Sequence, residues 1–321
     1  MKTQPPGHRP VFSVIIPTCF RSIEAVEKCL QALHQQTLPA QEFEILLVDD
    51  GSDQRHRGHL EKTLKEFFSY SRYLWQPNAG QGAARNLALK EAQGQLILFL
   101  NDDAVADPTL LQDHVTVHRE HPEESVAVLG KFTVSLELPY SMFARLHSDY
   151  AYGLFAGMSE VSWRGFYTCN ISVKRRFLEQ YGTFDEQLRY YEDVELGYRL
   201  SKHGLKILYH PKIIAYHYHY LDENNFLGYG PFHAKALVAW YKKSPHLKAE
   251  LQMYGFYPAD PWHRKTQDFF NDLLINSLTI PYWKKLARWL VAHNERFSLA
   301  LYKRIFSHLS RKTIHDELKK T

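Results

Sequence analysis

Over the first hundred residues, short apolar runs at 11–16, 43–48 and 96–100 alternate with stretches of helical spacing. Ile23, Val26, Leu30 and Leu33 recur at i, i+3, i+7 and i+10, so one helical face is apolar, and Ser22 stands where it can cap the free N–H groups. Near-continuous apolar strands separated by helices predict a mainly parallel sheet covered on both faces. Ligands then collect at the strands' C-terminal ends. Those ends read Pro17-Thr18, Asp49-Asp50-Gly51-Ser52 and Asn101-Asp102-Asp103, and all three are expected to open onto one edge.

The pattern continues less regularly. Residues 104–220 predict a helix at 107–120, a strand at 126–130, an aromatic loop to about 165, a helix beginning near Glu192, and strands ending in Tyr216-His217-Tyr218-His219. From 221 on, helical spacing and aromatics dominate. The expected division is therefore 1–103, 104–220 and a helical extension at 221–321, the first two sections sharing one sheet.

Composition narrows the setting. With 321 residues, 45% hydrophobic and 23% charged, the chain is sized for an ordinary globular core. The run at 11–16 stops at Pro17, short of a signal-peptide core, and nowhere do roughly 18 uncharged apolar residues follow one another, so neither a leader nor a membrane span is expected. Cys19, Cys29 and Cys169 are too few and scattered for a disulfide framework or zinc knuckle, which predicts a cytoplasmic protein. The net charge of +4 is uneven: residues 221–321 hold 16 Lys/Arg against nine Asp/Glu, so the first 220 residues are slightly acidic. The basic residues form no recognised nucleic-acid motif, and no nucleic-acid partner is expected.

The acidic strand ends carry the candidate chemistry. One aspartate pair at a strand end is also what a turn or helix N-cap asks for, but a second pair at the same predicted edge supplies hard oxygen ligands suited to Mg²⁺ or Mn²⁺ carrying a diphosphate. Between them, Asn78-Ala79-Gly80-Gln81-Gly82 allows close backbone approach, and Arg85, about one turn into the next helix, can bond an anionic or carbonyl group. It lacks the ending of a Walker A loop. In Glu192-Asp193-Val194-Glu195 the acids crowd a helix's first turn, either to complement its dipole or to act as a general base. His217 and His219 alternate with tyrosines on one predicted strand face, as structural histidines or as metal ligands.

In this order the motifs resemble family 2 glycosyltransferases of the GT-A fold: residues 14–18, Asp49-Asp50-Gly51-Ser52, Asn78-Ala79-Gly80 with Ala84-Arg85-Asn86, Phe99-Leu100-Asn101-Asp102-Asp103, Gly165-Phe166 with Cys169-Asn170, and Glu192-Asp193-Val194-Glu195 with Arg199. The resemblance implies a metal-dependent, inverting transfer from a nucleoside-diphosphate sugar, a UDP-sugar favoured, to a sugar or lipid-linked acceptor in surface polysaccharide or glycolipid assembly. It implies donor contacts at Pro17, Thr18, Asp50, Arg85 and Asp102, with Asp50 on the nucleobase. It further implies Asp103 as the principal ligand of Mn²⁺ or Mg²⁺, joined in some members by a histidine near the position of His217, and Asp193 as the base, beside Glu192. Two positions depart from the family pattern. Cys19-Phe20 stands where relatives commonly have Tyr-Asn, leaving Phe20 as the candidate to stack on the base, and Asn101 replaces a third aspartate.

In the extension, Trp283, Leu286 and Leu290 share one helical face and Phe297, Leu301 and Ile305 another, with Lys and Arg around them. Such helices either lie on an anionic membrane surface or pack on protein. Two other functions stay open. A sugar nucleotidyltransferase would need a glycine-rich phosphate loop after the first strand, where this chain has Pro17-Thr18-Cys19-Phe20; a catalytically silent scaffold would be expected to have lost its acidic positions.

Overall fold

The computed structural model of the chain describes residues 9–19, 22–68, 70–256 and 272–320. Its strands are β1 (Phe12–Thr18), β2 (Phe43–Asp50), β3 (Ser71–Gln76), β4 (Leu96–Leu100), β5 (Ala104–Ala106), β6 (Val126–Val134), β7 (Glu160–Val161), β8 (Asn170–Lys174) and β9 (Lys206–His217). They form a single sheet in the order β3-β2-β1-β4-β8-β6-β9-β5, with β7 paired to β9. The first four strands run parallel; β8 is antiparallel to both β4 and β6, and β9 returns parallel to β6. The helices of this part are α1 (Ile23–His34), α2 (Gln54–Phe67), α3 (Gln81–Glu91), α4 (Leu110–Glu120), α5 (Met142–Gly153), α6 (Arg175–Tyr181) and α7 (Glu192–Ser201).

Residue choice explains the pairing. β1, β2, β4 and β8 are buried along their whole length, as strands covered by helices on both faces must be. β3 is an edge strand and only half-buried, so Ser71-Arg72-Tyr73-Leu74-Trp75-Gln76 lacks the apolar run that betrays its neighbours. The aromatic stretch after 140, expected to be loop, holds helix α5 and strand β7. Ser22 precedes α1 but its side chain makes no capping bond; the Ser22 carbonyl instead accepts from the amides of Ala25 and Val26.

One buried polar chain ties α4 to the sheet. His114 and His118, one turn apart, face Asn170, Ser172 and Lys174, the alternate residues of β8. Lys174 can only donate, which sets the direction: Lys174 Nζ to His118 Nδ1 (3.3 Å), His118 Nε2 to Ser172 Oγ (2.8 Å), Ser172 Oγ to His114 Nδ1 (2.8 Å), and His114 Nε2 to Asn170 Oδ1 (3.1 Å). The Asn170 amide ends the chain on the carbonyls of Lys131 and Ile213. Burial holds both imidazoles neutral, with His114 down to about 4 and His118 to about 3.

The chain divides into two compact units, Met1–Tyr140 with Ala144–Tyr220, and Ser141–Phe143 with Leu221–Thr321. The second unit is helical. Its helix α8 (Glu223–Lys243) begins with a capping box between Asp222 and Asn225 and packs along Glu295–Leu318, where Gly230 permits close approach: a Cβ there would stand 2.8 Å from Ser310 Oγ. Glu223 gathers Lys284 (2.6 Å), Arg288 (2.6 Å) and the Tyr302 hydroxyl (3.0 Å), fixing Ile280–His293 to both helices. Among the described residues no helix is long and apolar enough to cross a membrane.

Candidate active site

Because β1, β2 and β4 are parallel, Thr18, Asp49-Asp50 and Asn101-Asp102-Asp103 reach the same edge of the sheet. β8 starts from that edge: Asn170 pairs with Leu100, so Thr168 and Cys169 lie beside the turn after β4. β9 ends there too, with His217 opposite Ala104.

At β2 the two aspartates serve a loop. Asp49 accepts from the Ser52 amide (2.9 Å) and the Tyr73 hydroxyl. Asp50 accepts from Gln76 Nε2 (2.7 Å), the Ala79 amide (2.7 Å), the Gly80 amide (2.8 Å) and Asn78 Nδ2 (3.2 Å). Four protein donors thus engage the carboxylate that the family resemblance assigns to a nucleobase. Gly51 and Gly80 both sit at positive φ, and a Cβ on Gly51 would lie 2.7 Å from the Asn78 amide nitrogen, so the loops after β2 and β3 interlock in a way that only glycine permits.

At β4, Thr18 Oγ1 donates to Asp102 Oδ2 (2.7 Å). Asp103 is buried, its carbonyl accepts from the Tyr218 amide (2.7 Å), and its Oδ2 lies 3.3 Å from His217 Nε2. Ser148 Oγ is 3.3 Å from the other ring nitrogen of His217, and Phe132 packs on the ring at 4.8 Å, so the imidazole is oriented from three sides. Neighbouring His147 is lowered to about 4 by burial and by His217 and His219, and is neutral at pH 7. β9 stops at His217, so His219 lies beyond the strand, its ring 5.5 Å from that of His217.

A third group comes from α3 and α7. Arg85 is 1% exposed and donates to Glu192 Oε1 (2.6 Å) and to Gln81 Oε1 (3.0 Å), while Phe184 lies under its guanidinium at 5.5 Å. Asn86 exchanges bonds with the Phe184 backbone (2.9 Å each way), so Arg85-Asn86 holds the segment leading to α7. Tyr191 enters α7 in the left-handed region (φ 62°), an uncommon conformation for a bulky side chain. Half-buried Asp193 accepts from the Val194 amide (2.7 Å) and from Thr168 through both amide and hydroxyl (3.3 Å each). Its carboxyl is raised to about 6, first by burial and then by the charge of Glu192, against the opposing pull of Arg85 and the amides.

Residues 13–182 match the family model of glycosyl transferase family 2. The chain belongs to this family. Its relatives include an uncharacterized glycosyltransferase of Bacillus subtilis, 28% identical over 64% of this chain and 64% of its own length. A validoxylamine A glucosyltransferase of Streptomyces hygroscopicus is 27% identical over 62% of this chain and 53% of its own. The match therefore spans less than two thirds of either relative. Among solved structures, a mannosyltransferase of Pyrobaculum calidifontis, in complex with GDP-Man and Mn²⁺, superposes with a TM-score of 0.66 at 17% identity, over 98% of this chain and 90% of that one. Staphylococcus aureus TarS in complex with UDP gives 0.53 at 19% identity, over 97% and 92%. The fold is the mixed α/β arrangement of GT-A glycosyltransferases.

For this family 2 chain the donor set can be tested against a divalent metal. Among the described residues no three His, Cys, Asp or Glu side chains gather to hold an ion by themselves. Asp103 and His217 bring one oxygen and one imidazole together, and a metal of the Mg²⁺ or Mn²⁺ kind characteristically takes one or two protein ligands and completes its shell with substrate phosphates and water. The residues fit such an ion. Of the other predicted positions, Pro17 lies within β1, and Phe20 lies outside the described residues. No feature of the sequence marks a role for Thr168, Ser148 or His147; Thr168 falls between Gly165-Phe166 and Cys169-Asn170, but nothing in its spacing connects it with Asp193.

Proposed function

We propose that this chain transfers a sugar from a nucleoside-diphosphate sugar to an acceptor hydroxyl, with inversion at the anomeric carbon. The observation that carries the reading is the convergence at one sheet edge of Asp193, with its carboxyl raised to about 6, and the Asp103–His217 pair. Above pH 6 Asp193 is ionised and accepts the proton of the attacking hydroxyl. The new bond forms at the anomeric carbon as the bond to the diphosphate breaks on the opposite face, and the nucleoside diphosphate departs. Asp103 and His217 would hold Mn²⁺ or Mg²⁺, which neutralises charge on the diphosphate.

In this reading residues 1–103 bind the donor, with Thr18 and Asp102 near the ribose and Asp50 shaping the nucleotide pocket through the backbone it holds. Residues 104–220 supply the base and the acceptor side, and Arg85 with Glu192 positions α7. GDP-Man and UDP in the two solved neighbours leave both bases as candidates, and a UDP-sugar is favoured. A sugar or lipid-linked acceptor at the cytoplasmic membrane face would suit polysaccharide or glycolipid assembly.

The test is release of free nucleoside diphosphate from a panel of nucleotide sugars with Mn²⁺, Mg²⁺ or EDTA. Metal-dependent release abolished by Asp103→Ala and Asp193→Ala is expected. If no donor is turned over and none raises the melting temperature, the silent-scaffold reading replaces this one.

A further inference from the structure

The second unit carries an outward apolar stripe on helix Ile280–His293. Helix Ile280–His293 turns Ala287 fully inward, with Trp283 and Leu290 partly buried on the same side. Tyr282, Leu286 and Trp289, at i, i+4 and i+7, form a neighbouring stripe that is 76%, 40% and 58% exposed. Leu278, in the turn before the helix, is 81% exposed. Leu286 stands between the two stripes: it shares a helical face with Trp283 and Leu290 as the periodicity predicts, but is more exposed than either and borders Tyr282 and Trp289.

The charge around the stripe selects its partner. From residue 273 to 294 the chain has no Asp or Glu but carries Lys284, Lys285 and Arg288. At 100° per residue Lys285 borders the stripe directly and is exposed, and Arg288 keeps 62% of its side chain in solvent despite its bond to Glu223. A second copy of the chain would have to bring these cations against their own images across a two-fold axis. A bilayer with anionic headgroups instead offers hydrocarbon to the leucines, an interface to the Trp and Tyr rings, and negative charge to the lysine and arginine rim.

We propose that the stripe Leu278–Tyr282–Leu286–Trp289 docks this chain on an anionic lipid surface, with helix Ile280–His293 lying in the plane of the interface. No sugar nucleotide or metal is needed for this contact, so its failure leaves the transferase reading intact.

The test is co-sedimentation of the whole chain with vesicles of phosphatidylcholine alone or mixed with phosphatidylglycerol. Binding to the mixed vesicles is expected to be at least ~10-fold tighter than to phosphatidylcholine and to weaken with salt. The double substitution Leu286→Ser with Trp289→Ser should lower it by a further ~10-fold or more, with the melting temperature changed little because neither side chain is buried. Lys285→Glu should weaken binding to the mixed vesicles about tenfold and leave the weak binding to phosphatidylcholine unaltered. Absence of binding to either vesicle, equal binding by the variants, or a dimer that the double substitution dissociates would each overturn the proposal.

Discussion

The two ends of the central strands each bury acid, and they treat it in opposite ways. At the N-terminal end Glu44 accepts from the Ser13 hydroxyl, from the Gln93 amide (2.7 Å) and from Arg72 Nη2 (2.6 Å), and the Gly94 amide closes the cluster on Ser13 Oγ (2.8 Å). The charge is matched within the fold. At the C-terminal end the guanidinium of Arg85 goes to Glu192, and Asp193 beside it is held by amides and a hydroxyl, with its carboxyl raised to about 6. Burial first, and then the charge of Glu192, raise Asp193 toward the pKa of a useful base, and Arg85, bonded to Glu192, offsets only part of that rise.

Substitutions at the two ends should therefore split activity from stability. The largest effect is expected for Asp193→Asn, which should lower the rate of transfer about 10²–10⁴-fold while the urea midpoint holds or rises, since it removes a half-buried charge whose ionisation the fold opposes. Glu44→Ala should do the reverse. Breaking its pair with Arg72 is expected to cost about 2–3 kcal/mol of stability, below the range for fully buried pairs because Arg72 is partly exposed, with the rate per folded molecule unchanged. Urea denaturation alongside nucleotide release separates the two; equal effects on both quantities in both variants would erase the distinction.

Much of the C-terminal end of the sheet was legible in the sequence because its strands announce themselves. Leu96-Ile97-Leu98-Phe99-Leu100 is apolar on both faces, so it must be covered on both, and the Asn-Asp-Asp that follows must lie at its end. What stayed hidden depends on partners distant in sequence. Thr168 meets Asp193 only because β8 runs back antiparallel to β4, and Asp50 is claimed by a loop after β3, a strand too exposed to show a period. Arg85 was readable as a functional arginine, but its bond to Glu192, 107 residues away, was not. In α4, His114 and His118 stand one turn apart on the face that covers the sheet, a spacing that by itself signals a polar seam.

That seam predicts a smaller effect, in acid rather than at the site. His114 and His118 stay neutral in the fold down to about 4 and about 3, whereas an unfolded chain takes up their protons near 6.5. The unfolded state binds more protons below that value, so stability is full above about pH 6.5 and falls as the pH drops toward 4. Each histidine should remove about 1 kcal/mol between pH 7 and 5.5. His118→Gln removes one titrating group from the seam, and its stability should depend less steeply on pH by that amount. An unchanged slope would mean that the imidazole is not held neutral there.

The finest test moves the acid limb of the rate. If Asp193 accepts the acceptor's proton, the rate of transfer should be flat above about pH 6 and fall about tenfold per unit below it. Glu192 raises that carboxyl and Arg85 lowers it, so the two partners of one ion pair should shift the limb in opposite directions. Glu192→Gln removes a like charge and leaves the guanidinium, which should move the limb down, by up to about one unit. Arg85→Gln leaves Glu192 uncompensated and should move it up. A purely structural role for the pair would lower the plateau in both variants and leave the limb where it was. Opposite shifts require the titrating group to feel both charges, and the carboxyl of Asp193 is the group whose titration both residues perturb.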